Sequence, residues 1–518
     1  MRIHRNSSVA ARCGLTVVAI LLVVQIAGPV RGAEPKPASI PEGLRLKAPA
    51  IPEHIVGTVR ALNESLSRNL KPEENAAVWL VRVFGGEAFE PEVRQASLDM
   101  LGVEAVSKTG PRFLFLEEYV ESLGVARGNV RREALELQAA IDEASLRVWQ
   151  PQELPAVDAF LNANQAGLDG VVAAADLSRY FVPVLPTDES EQLFSASRAI
   201  ERRLPFVVRV LTARALRNSA GRNFASVTAD FMAGHRLAAL LAEGSPFDVS
   251  VGKAGAADAA ASFGEYALLK SGNLTGGQAE GLRKSLEKVP RIRGSAFAAD
   301  RGERANLHQE IELLQRDRNS VRDFFDLPQP EAAANGAEGR LPTIDWKLAR
   351  ERADEIQNRI VQALETRDRQ RQNELFDQLD RDHDKWDETS DDTTKELAAN
   401  FAKRREAASR WVGETMARSL RPLYRQRRIS DDRAAVRRDM VLVGLALVSF
   451  QRDHGEFPAS LAHLAPRYLQ AVPDDSYSDA PFAYVRESKD RARLISWGPN
   501  RGDDAGKTFN DDQAIELR

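Results

Sequence analysis

Apolar residues recur three or four positions apart through most of this 518-residue chain, and that spacing is the feature that most constrains its fold. Between residues 224 and 241, for example, Phe231, Leu237 and Leu241 fall near one face of a helix. Aromatic residues make up only 7% of the chain, whereas strands are usually rich in aromatic and β-branched residues. The sequence therefore predicts a mainly α protein with a multi-helix body.

Proline-rich stretches indicate where this long chain is divided. Five prolines between residues 33 and 53 resist regular structure, and a second group of prolines and glycines lies between 329 and 342. A chain of this length is expected to hold about two to four domains. The predicted segments are an N-terminal signal peptide or anchor (1–32), a linker (33–53), a helical body (54–328), a second linker (329–342), a charged helical hairpin (343–428) and a small α+β domain (429–518).

The N-terminus has the order of an export signal. Arg2, Arg5 and Arg12 precede an apolar stretch at 15–27, and small residues follow at 30–32. The apolar stretch is shorter than the ~20 residues that span a bilayer, which favours cleavage. An uncleaved anchor is the alternative, because Arg31 lies in the cleavage region. The sequence therefore predicts a periplasmic or otherwise extracytoplasmic protein that meets a membrane only through this segment.

The segment from 343 to 428 is dominated by charged residues with a narrow apolar seam. Ile356, Ile360 and Leu364 are spaced four apart, as are Leu397 and Phe401. This pattern predicts two long helices that pair as an antiparallel, coiled-coil-like hairpin. The acidic run at 380–392 is predicted to form the turn between them. A metal loop is less favoured there, because position 385 is lysine where a calcium loop needs glycine.

The last 86 residues carry a series of short motifs in a fixed order. A helical pattern at 433–453 leads into Asp-His-Gly-Glu-Phe-Pro at 453–458, and a Pro-Asp pair follows at 473–474. Alternating residues at 482–486 and 493–497 predict a hairpin, and an acidic stretch ends the chain. This order resembles the major (G-type) pseudopilin of type II secretion. The resemblance implies a helix packed on a small antiparallel sheet, with calcium in the terminal loop.

The resemblance has limits that bear on function. A pseudopilin begins with a long apolar helix, whereas here the corresponding helix is internal to the chain. Ser476-Tyr477-Ser478 also replaces the Trp-Gly that follows Pro-Asp in that family. The resemblance therefore concerns the fold and does not extend to a filament subunit. The stretch from 231 to 281 looks like one found in long exported bacterial proteins of unknown function, and implies no activity.

Four aspartates form the candidate metal site. Asp503, Asp504, Asp511 and Asp512 flank a glycine-containing stretch, and calcium prefers clustered carboxylate and carbonyl oxygens. The alternative is an acidic C-terminus that is only solvated. Calcium is the one cofactor that the sequence predicts, and the residues predicted to bind it are these four.

Several function classes lack support in the sequence. The near balance of 71 basic and 75 acidic residues argues against nucleic-acid binding. The only cysteine, Cys13, lies in the predicted signal, and neither a phosphate-binding loop nor a catalytic histidine pair is present. We predict that His235, which lies in an amphipathic run, is a structural residue. The sequence predicts a scaffold or partner-binding protein of the cell envelope; the alternative is an envelope hydrolase whose site is assembled from distant helices.

Overall fold

The computed structural model is mainly helical with small antiparallel sheets, as the sequence predicted. It describes residues 44–85, 88–106, 112–188, 192–196, 198–219, 221, 224–325, 343–398, 404–419, 424–478, 480–502 and 512–518. The predicted signal, residues 33–43 of the first linker and all of the second linker lie outside these ranges. Phe401 and three of the four candidate calcium ligands also lie outside them.

Helices account for most of the described residues. Short 3-10 turns occur at Pro72–Glu74, Leu193–Ser195 and Leu461–Leu464, and a π-helical turn at Ala299–Glu303 joins α12 to α13. The helices are α1 (Gly57–Leu66), α2 (Ala76–Phe84), α3 (Pro91–Leu101), α4 (Leu116–Ser122), α5 (Arg127–Ala144), α6 (Pro155–Ala163), α7 (Gln165–Ala175), α8 (Ala199–Asn218), α9 (Phe224–Gly244), α10 (Asp248–Ser271), α11 (Gly276–Glu287), α12 (Ser295–Ala298), α13 (Arg304–Arg316), α14 (Arg318–Phe324), α15 (Trp346–Glu365), α16 (Arg369–Ala398), α17 (Arg405–Ser419) and α18 (Tyr424–His454).

The strands among the described residues form three small antiparallel sheets. β1 pairs with β2, β3 with β4, and β5, β6 and β7 form the third sheet in that order. In the third sheet Leu494 lies opposite Tyr484 on one side and Ile515 on the other. The strands are β1 (Leu44–Leu46), β2 (Val103–Val106), β3 (Asp474–Asp475), β4 (Ala480–Pro481), β5 (Ala483–Ser488), β6 (Arg491–Ser496) and β7 (Gln513–Leu517).

Local sequence signals explain where several helices begin and end. The side chain of Asn75 accepts a hydrogen bond from the Ala77 backbone N–H and so caps α2. Gly85 follows the last residue of α2 with a positive φ of 83°, which ends the helix as glycine commonly does. Thr275 and Gln278 form a reciprocal capping box at the start of α11.

Three long helices form the centre of the body. α10 packs against both α8 and α9, and α8 packs against α9. Small side chains let these helices approach closely: a Cβ added to Gly264 of α10 would lie 2.2 Å from a methyl group of Thr212 on α8. These three helices belong to the largest apolar core among the described residues.

The predicted turn at 380–392 is wrong, because those residues lie inside the unbroken helix α16. Neither glycine nor proline occurs between residues 369 and 398, so nothing in the sequence interrupts the helix. Two acidic residues in this run pair with arginines of neighbouring helices: Asp380 contacts Arg425 at 2.8 Å, and Asp382 contacts Arg359 at 2.6 Å. The described residues of this segment, 343–398 and 404–419, therefore form three helices, α15, α16 and α17, where two were predicted.

The predicted apolar seam is divided between two clusters. Ile356, Ile360 and Leu364 of α15 pack with Phe376 and Leu379 of α16. Leu397 of α16 instead packs with Ala408 and Trp411 of α17. The seam residues that the structure describes are thus buried, although they do not all face one another.

The C-terminal segment is packed into the body. Helix α18 begins at Tyr424, runs across the predicted boundary at 428–429, and contacts both α10 and α11. Strand β7 also lies against α10. The predicted hairpin is present as β5 and β6, within about two residues of the predicted runs. All described residues belong to one compact unit.

Candidate functional site

Of the four candidate calcium ligands, Asp512 is the one that lies within the described residues. Asp512 is partly buried and immediately precedes β7, whereas Asp503, Asp504 and Asp511 lie outside the described residues. Within the described ranges, no three or more histidine, cysteine, aspartate or glutamate side chains are grouped as a metal site would require. The calcium site thus stays a prediction of the sequence.

A cleft of about 640 Å³ lies between α10 and α18 and is bordered by the segment that precedes α12. We call it the α10–α18 cleft. Its volume falls in the range of small-molecule sites, roughly 300–1,000 Å³. Asp248 at the start of α10 and Arg438 in α18 both contribute to its lining, as does Ile292. The cleft thus joins the helical body to the first half of the long C-terminal helix.

Small residues keep this cleft open. On α10 the lining includes four small residues that are spaced three, one and three positions apart: Gly252, Gly255, Ala256 and Ala259. This spacing places them on one face of the helix. A Cβ added to Gly252 or Gly255 would have no atom within 4 Å, so the space in front of them is empty. On α18 the lining includes a pair of alanines, Ala434 and Ala435, among polar and charged residues.

The charged residues of the lining are mostly basic. Arginine side chains outnumber aspartates by five to three, and with the adjacent charges of His235, Glu265 and Asp439 one positive charge remains in excess. The charged lining residues are Arg291, Arg427, Arg433, Arg437, Arg438, Asp248, Asp258 and Asp431.

Most of these arginines are already bound within the protein. Arg291 makes a two-pronged contact with Asp439, at 2.5 and 3.2 Å. Arg427 pairs with Asp248. Arg438 donates to two backbone carbonyl oxygens at the end of α11, each at 2.6 Å. Their guanidinium groups hold the walls of the cleft together.

Arg437 is different. Only 7% of the residue is exposed, yet its guanidinium forms no hydrogen bond or ion pair with any described part of the chain, and its Nε is buried without a partner. Its nearest aromatic contact is the ring of Phe263, whose centroid lies 5.8 Å from the guanidinium carbon. Burial lowers the pKa of Arg437, but a guanidinium remains charged at neutral pH. The carboxylate of Asp258 attracts this charge without forming an ion pair with it. A buried guanidinium whose hydrogen bonds are unmade is costly, so this group is the natural place for an anionic ligand.

A fully buried ionic network lies beside the cleft. The Nδ1 of His235 is 2.7 Å from a carboxylate oxygen of Asp258, and its Nε2 is 3.1 Å from one of Glu265. Burial alone would lower the pKa of His235, but the two carboxylates raise it to about 9. The imidazole is therefore protonated at neutral pH and donates to both acids. Asp258 also faces the cleft, so the network forms part of its wall.

This geometry suits binding better than catalysis. A general base needs a free ring nitrogen, and both nitrogens of His235 are held by carboxylates. No serine, threonine or cysteine is hydrogen-bonded to His235 among the residues that the structure describes. The prediction that His235 is structural agrees with these contacts.

A half-buried acid, Asp431, also lines the cleft. A carboxylate oxygen of Asp431 accepts a hydrogen bond from the backbone N–H of Ser295, at the first residue of α12, at 2.8 Å. Burial raises the pKa of Asp431 to about 6. This contact fixes α12 to α18 and so closes one side of the cleft.

Comparison of the chain with protein-family models, with curated proteins and with solved structures finds no match. Among the helices described, none is both long and apolar enough to cross a membrane.

Sequence reasoning missed this cleft. Arg437 is one of 71 basic residues, and nothing in its neighbourhood along the chain marks it as buried. The small-residue spacing on α10 was the one available signal, although closely packed helices use the same pattern. Which side of α10 faces an open cleft depends on where α18 packs, and the sequence does not show that.

Proposed function

We propose that this protein is an exported binding protein, and that it holds an anionic ligand in the α10–α18 cleft. The observation that carries the proposal is Arg437, a buried guanidinium with no hydrogen bond or ion pair to any described residue. An anion placed against it would form charge-assisted hydrogen bonds, which are stronger than neutral ones. The excess of positive charge in the lining favours the same ligand charge.

A role as a scaffold or partner-binding protein fits the same features. The walls of the cleft come from the helical body and from α18, so a bound ligand would contact both at once. The envelope hydrolase alternative has less support, because both nitrogens of the histidine beside the cleft are occupied.

The proposal is tested with a panel of anions on the full chain without its signal. Acetate, inorganic phosphate and decanoate would each be added while thermal unfolding is followed. A ligand that binds only the folded state stabilises it, by about 2.7 kcal/mol at 100 times its Kd. At least one of the three anions should raise the Tm of the parent protein and leave that of Arg437→Met unchanged.

Arg131→Met is the matched control, because Arg131 is an exposed arginine on α5, away from the cleft. It should respond to the anions as the parent does. Without any anion, Arg437→Met should be as stable as the parent or more stable, since the change removes an unpaired buried charge. If no anion separates Arg437→Met from the control, the proposal is wrong.

Export is part of the proposal and is supported by the sequence of residues 1–32. Replacing Leu21 and Leu22 by arginine places charges in the apolar stretch and should retain the protein in the cytoplasm. Cell fractionation measures this. Extracytoplasmic protein in unchanged amount would refute export.

Calcium binding by Asp503, Asp504, Asp511 and Asp512 is proposed on the resemblance to pseudopilins and on their clustered carboxylates. Because the C-terminal segment packs against α10, the test belongs in the full chain. Calcium should raise the Tm relative to a chelator, and Asp511→Asn with Asp512→Asn should remove that rise. Identical melting curves with calcium and with chelator would show that the acidic stretch is only solvated.

A further inference from the structure

We propose that the ligand of the α10–α18 cleft is an amphiphile, whose single acidic head group binds Arg437 and whose aliphatic body lies along the small-residue walls. This inference rests on the proposed function, because it names the class of anion that the cleft takes. Three features carry it: the composition of the walls, the space they enclose, and the number of cations left without a partner.

The walls are apolar over much of their area. On α10 the lining includes Val249, Val251 and the glycines and alanines that follow them, and on α18 it includes two alanines. These residues offer no side-chain hydrogen-bond donor or acceptor to a ligand. An aliphatic body would contact them without leaving polar groups of its own unsatisfied.

Exposed apolar side chains extend this surface along α10. Val249, which lines the cleft, is 52% exposed, and Phe263, which contacts Arg437, is 43% exposed. Apolar side chains with this much exposure are few among the described residues, and these two lie at opposite ends of the small-residue row. The row and its two flanking residues thus form an apolar track that leads to a cation.

The enclosed space is too large for a small inorganic anion. A volume of about 640 Å³ is far more than a water-sized group requires, since one water occupies about 30 Å³ in the liquid. A phosphate or acetate at Arg437 would leave most of the cleft filled with water against apolar walls. An aliphatic body would displace that water, and this transfer is favourable.

The head group should carry one acid, because one lining guanidinium lacks a partner. Arg291 and Arg427 are each paired with an aspartate, and Arg438 is bound to backbone carbonyl oxygens. Arg433 is exposed, and its guanidinium interacts with the hydroxyl of Tyr477. The lining aspartates would repel a head group with further negative charges. A carboxylate or a phosphate monoester on an aliphatic chain meets this requirement.

Titration calorimetry on the full chain without its signal tests the inference with three probes. Decanoate carries both the acid and the chain, decan-1-ol carries the chain alone, and inorganic phosphate carries the charge alone; the amphiphiles are kept below the concentrations at which they form micelles. Decanoate should bind at least tenfold more tightly than either of the others. Arg437→Met should weaken decanoate at least tenfold and leave decan-1-ol unchanged.

Filling the cleft provides an independent test. Gly255→Leu places a side chain in the empty space, where its Cβ meets no atom within 4 Å, and leucine is a better helix former than glycine. The variant should fold and lose decanoate binding at least tenfold. Gly281→Leu is the matched control, because a Cβ at exposed Gly281 of α11 also meets nothing and this residue does not line the cleft.

The outcomes separate this inference from the proposed function. If inorganic phosphate binds as tightly as decanoate and depends on Arg437, the site is an anion site and the amphiphile inference is wrong. If decan-1-ol equals decanoate and Arg437→Met changes neither, the anion-binding proposal itself is wrong. Unaltered decanoate binding by Gly255→Leu would exclude this cleft as the place where the chain of the ligand lies.

Discussion

At the scale of single residues, the buried network around His235 shows what a sequence can and cannot reveal. That a histidine in an amphipathic run would be structural was predictable. Its partners were not, because Asp258 and Glu265 lie 23 and 30 residues away on another helix. Their mutual spacing of seven places them on one face of α10, but the sequence does not say which helix that face meets.

The charge of His235 makes the stability of the protein depend on pH. Its pKa is raised from 6.5 to about 9 on folding, because the carboxylates of Glu265 and Asp258 outweigh the effect of burial. A raised pKa contributes stability that is complete below pH 6.5 and is lost as the pH rises through 9. Between pH 7 and pH 9 the free energy of unfolding should fall by about 2 kcal/mol.

Urea unfolding at several pH values across this window measures the effect. His235→Gln should be less stable than the parent at pH 7 and should show a much flatter pH profile, since the titrating group is gone. Glu303, whose pKa burial raises to about 7, loses its own contribution mainly below this window. A parent protein of equal stability at pH 7 and pH 9 would contradict the protonated network.

At the scale of helices, the close approach of α15 and α17 depends on one glycine. A Cβ added to Gly413 of α17 would lie 2.0 Å from the backbone oxygen of Ala349 on α15. A backbone atom cannot turn aside as a flexible side chain can, so any side chain at this position must push the helices apart.

Gly413→Ala should therefore lower the free energy of unfolding by about 1–3 kcal/mol, the usual range for overpacking. The gain in helix propensity from glycine to alanine acts in the opposite direction and is at most about 1 kcal/mol. Gly281→Ala on α11 controls for that gain, because its Cβ meets nothing, and it should be neutral or stabilising. Equal stability of the two variants in denaturant would show that α15 and α17 are not in this contact.

Helix α16 shows why helices could be predicted from the sequence more accurately than the turns between them. Ile356, Ile360 and Leu364 gave a correct helix with a buried face. The acidic run at 380–392 favours a turn when the sequence is considered alone, because so many charges suggest a solvated loop. In the structure arginines on α15 and α18 neutralise two of these acids, and the sequence contains no glycine or proline that would end the helix. The arginines that pair with these aspartates lie on other helices, so the sequence around 380–392 does not identify them.

At the scale of the whole molecule, the C-terminal segment is held in the same core as the helical body. Its short motifs predicted the hairpin to within about two residues and the end of the helix to within one, but the helix begins at Tyr424, nine residues before the predicted start. They did not show that α18 would lie against α10 and α11, which depends on residues more than 150 positions away. A Cβ on Gly444 of α18 would lie 2.9 Å from Leu269 of α10, and Arg452 donates to the carbonyl oxygens of Gly272 and Leu274.

Since one core spans both regions, they should unfold together. Leu447 of α18 is fully buried in that core, and Leu447→Ala should lower the free energy of unfolding by about 2–5 kcal/mol. The free energy of opening measured by hydrogen exchange should fall by the same amount for the amides of α9, in the body, and of β6, in the terminal sheet. Hydrogen exchange with mass spectrometry, carried out over a range of denaturant concentrations, measures the two regions in one experiment.

Val485→Ala on β5 is the control, because Val485 is 42% exposed and its truncation should cost much less in both regions. A shared core predicts that α9 and β6 lose protection at one denaturant concentration in the parent, and at one lower concentration in Leu447→Ala. If the variant weakened β6 while α9 kept its protection, the terminal segment would be an independent domain. A ligand in the α10–α18 cleft should then stabilise only the regions that form its walls, whereas with a shared core it protects both equally.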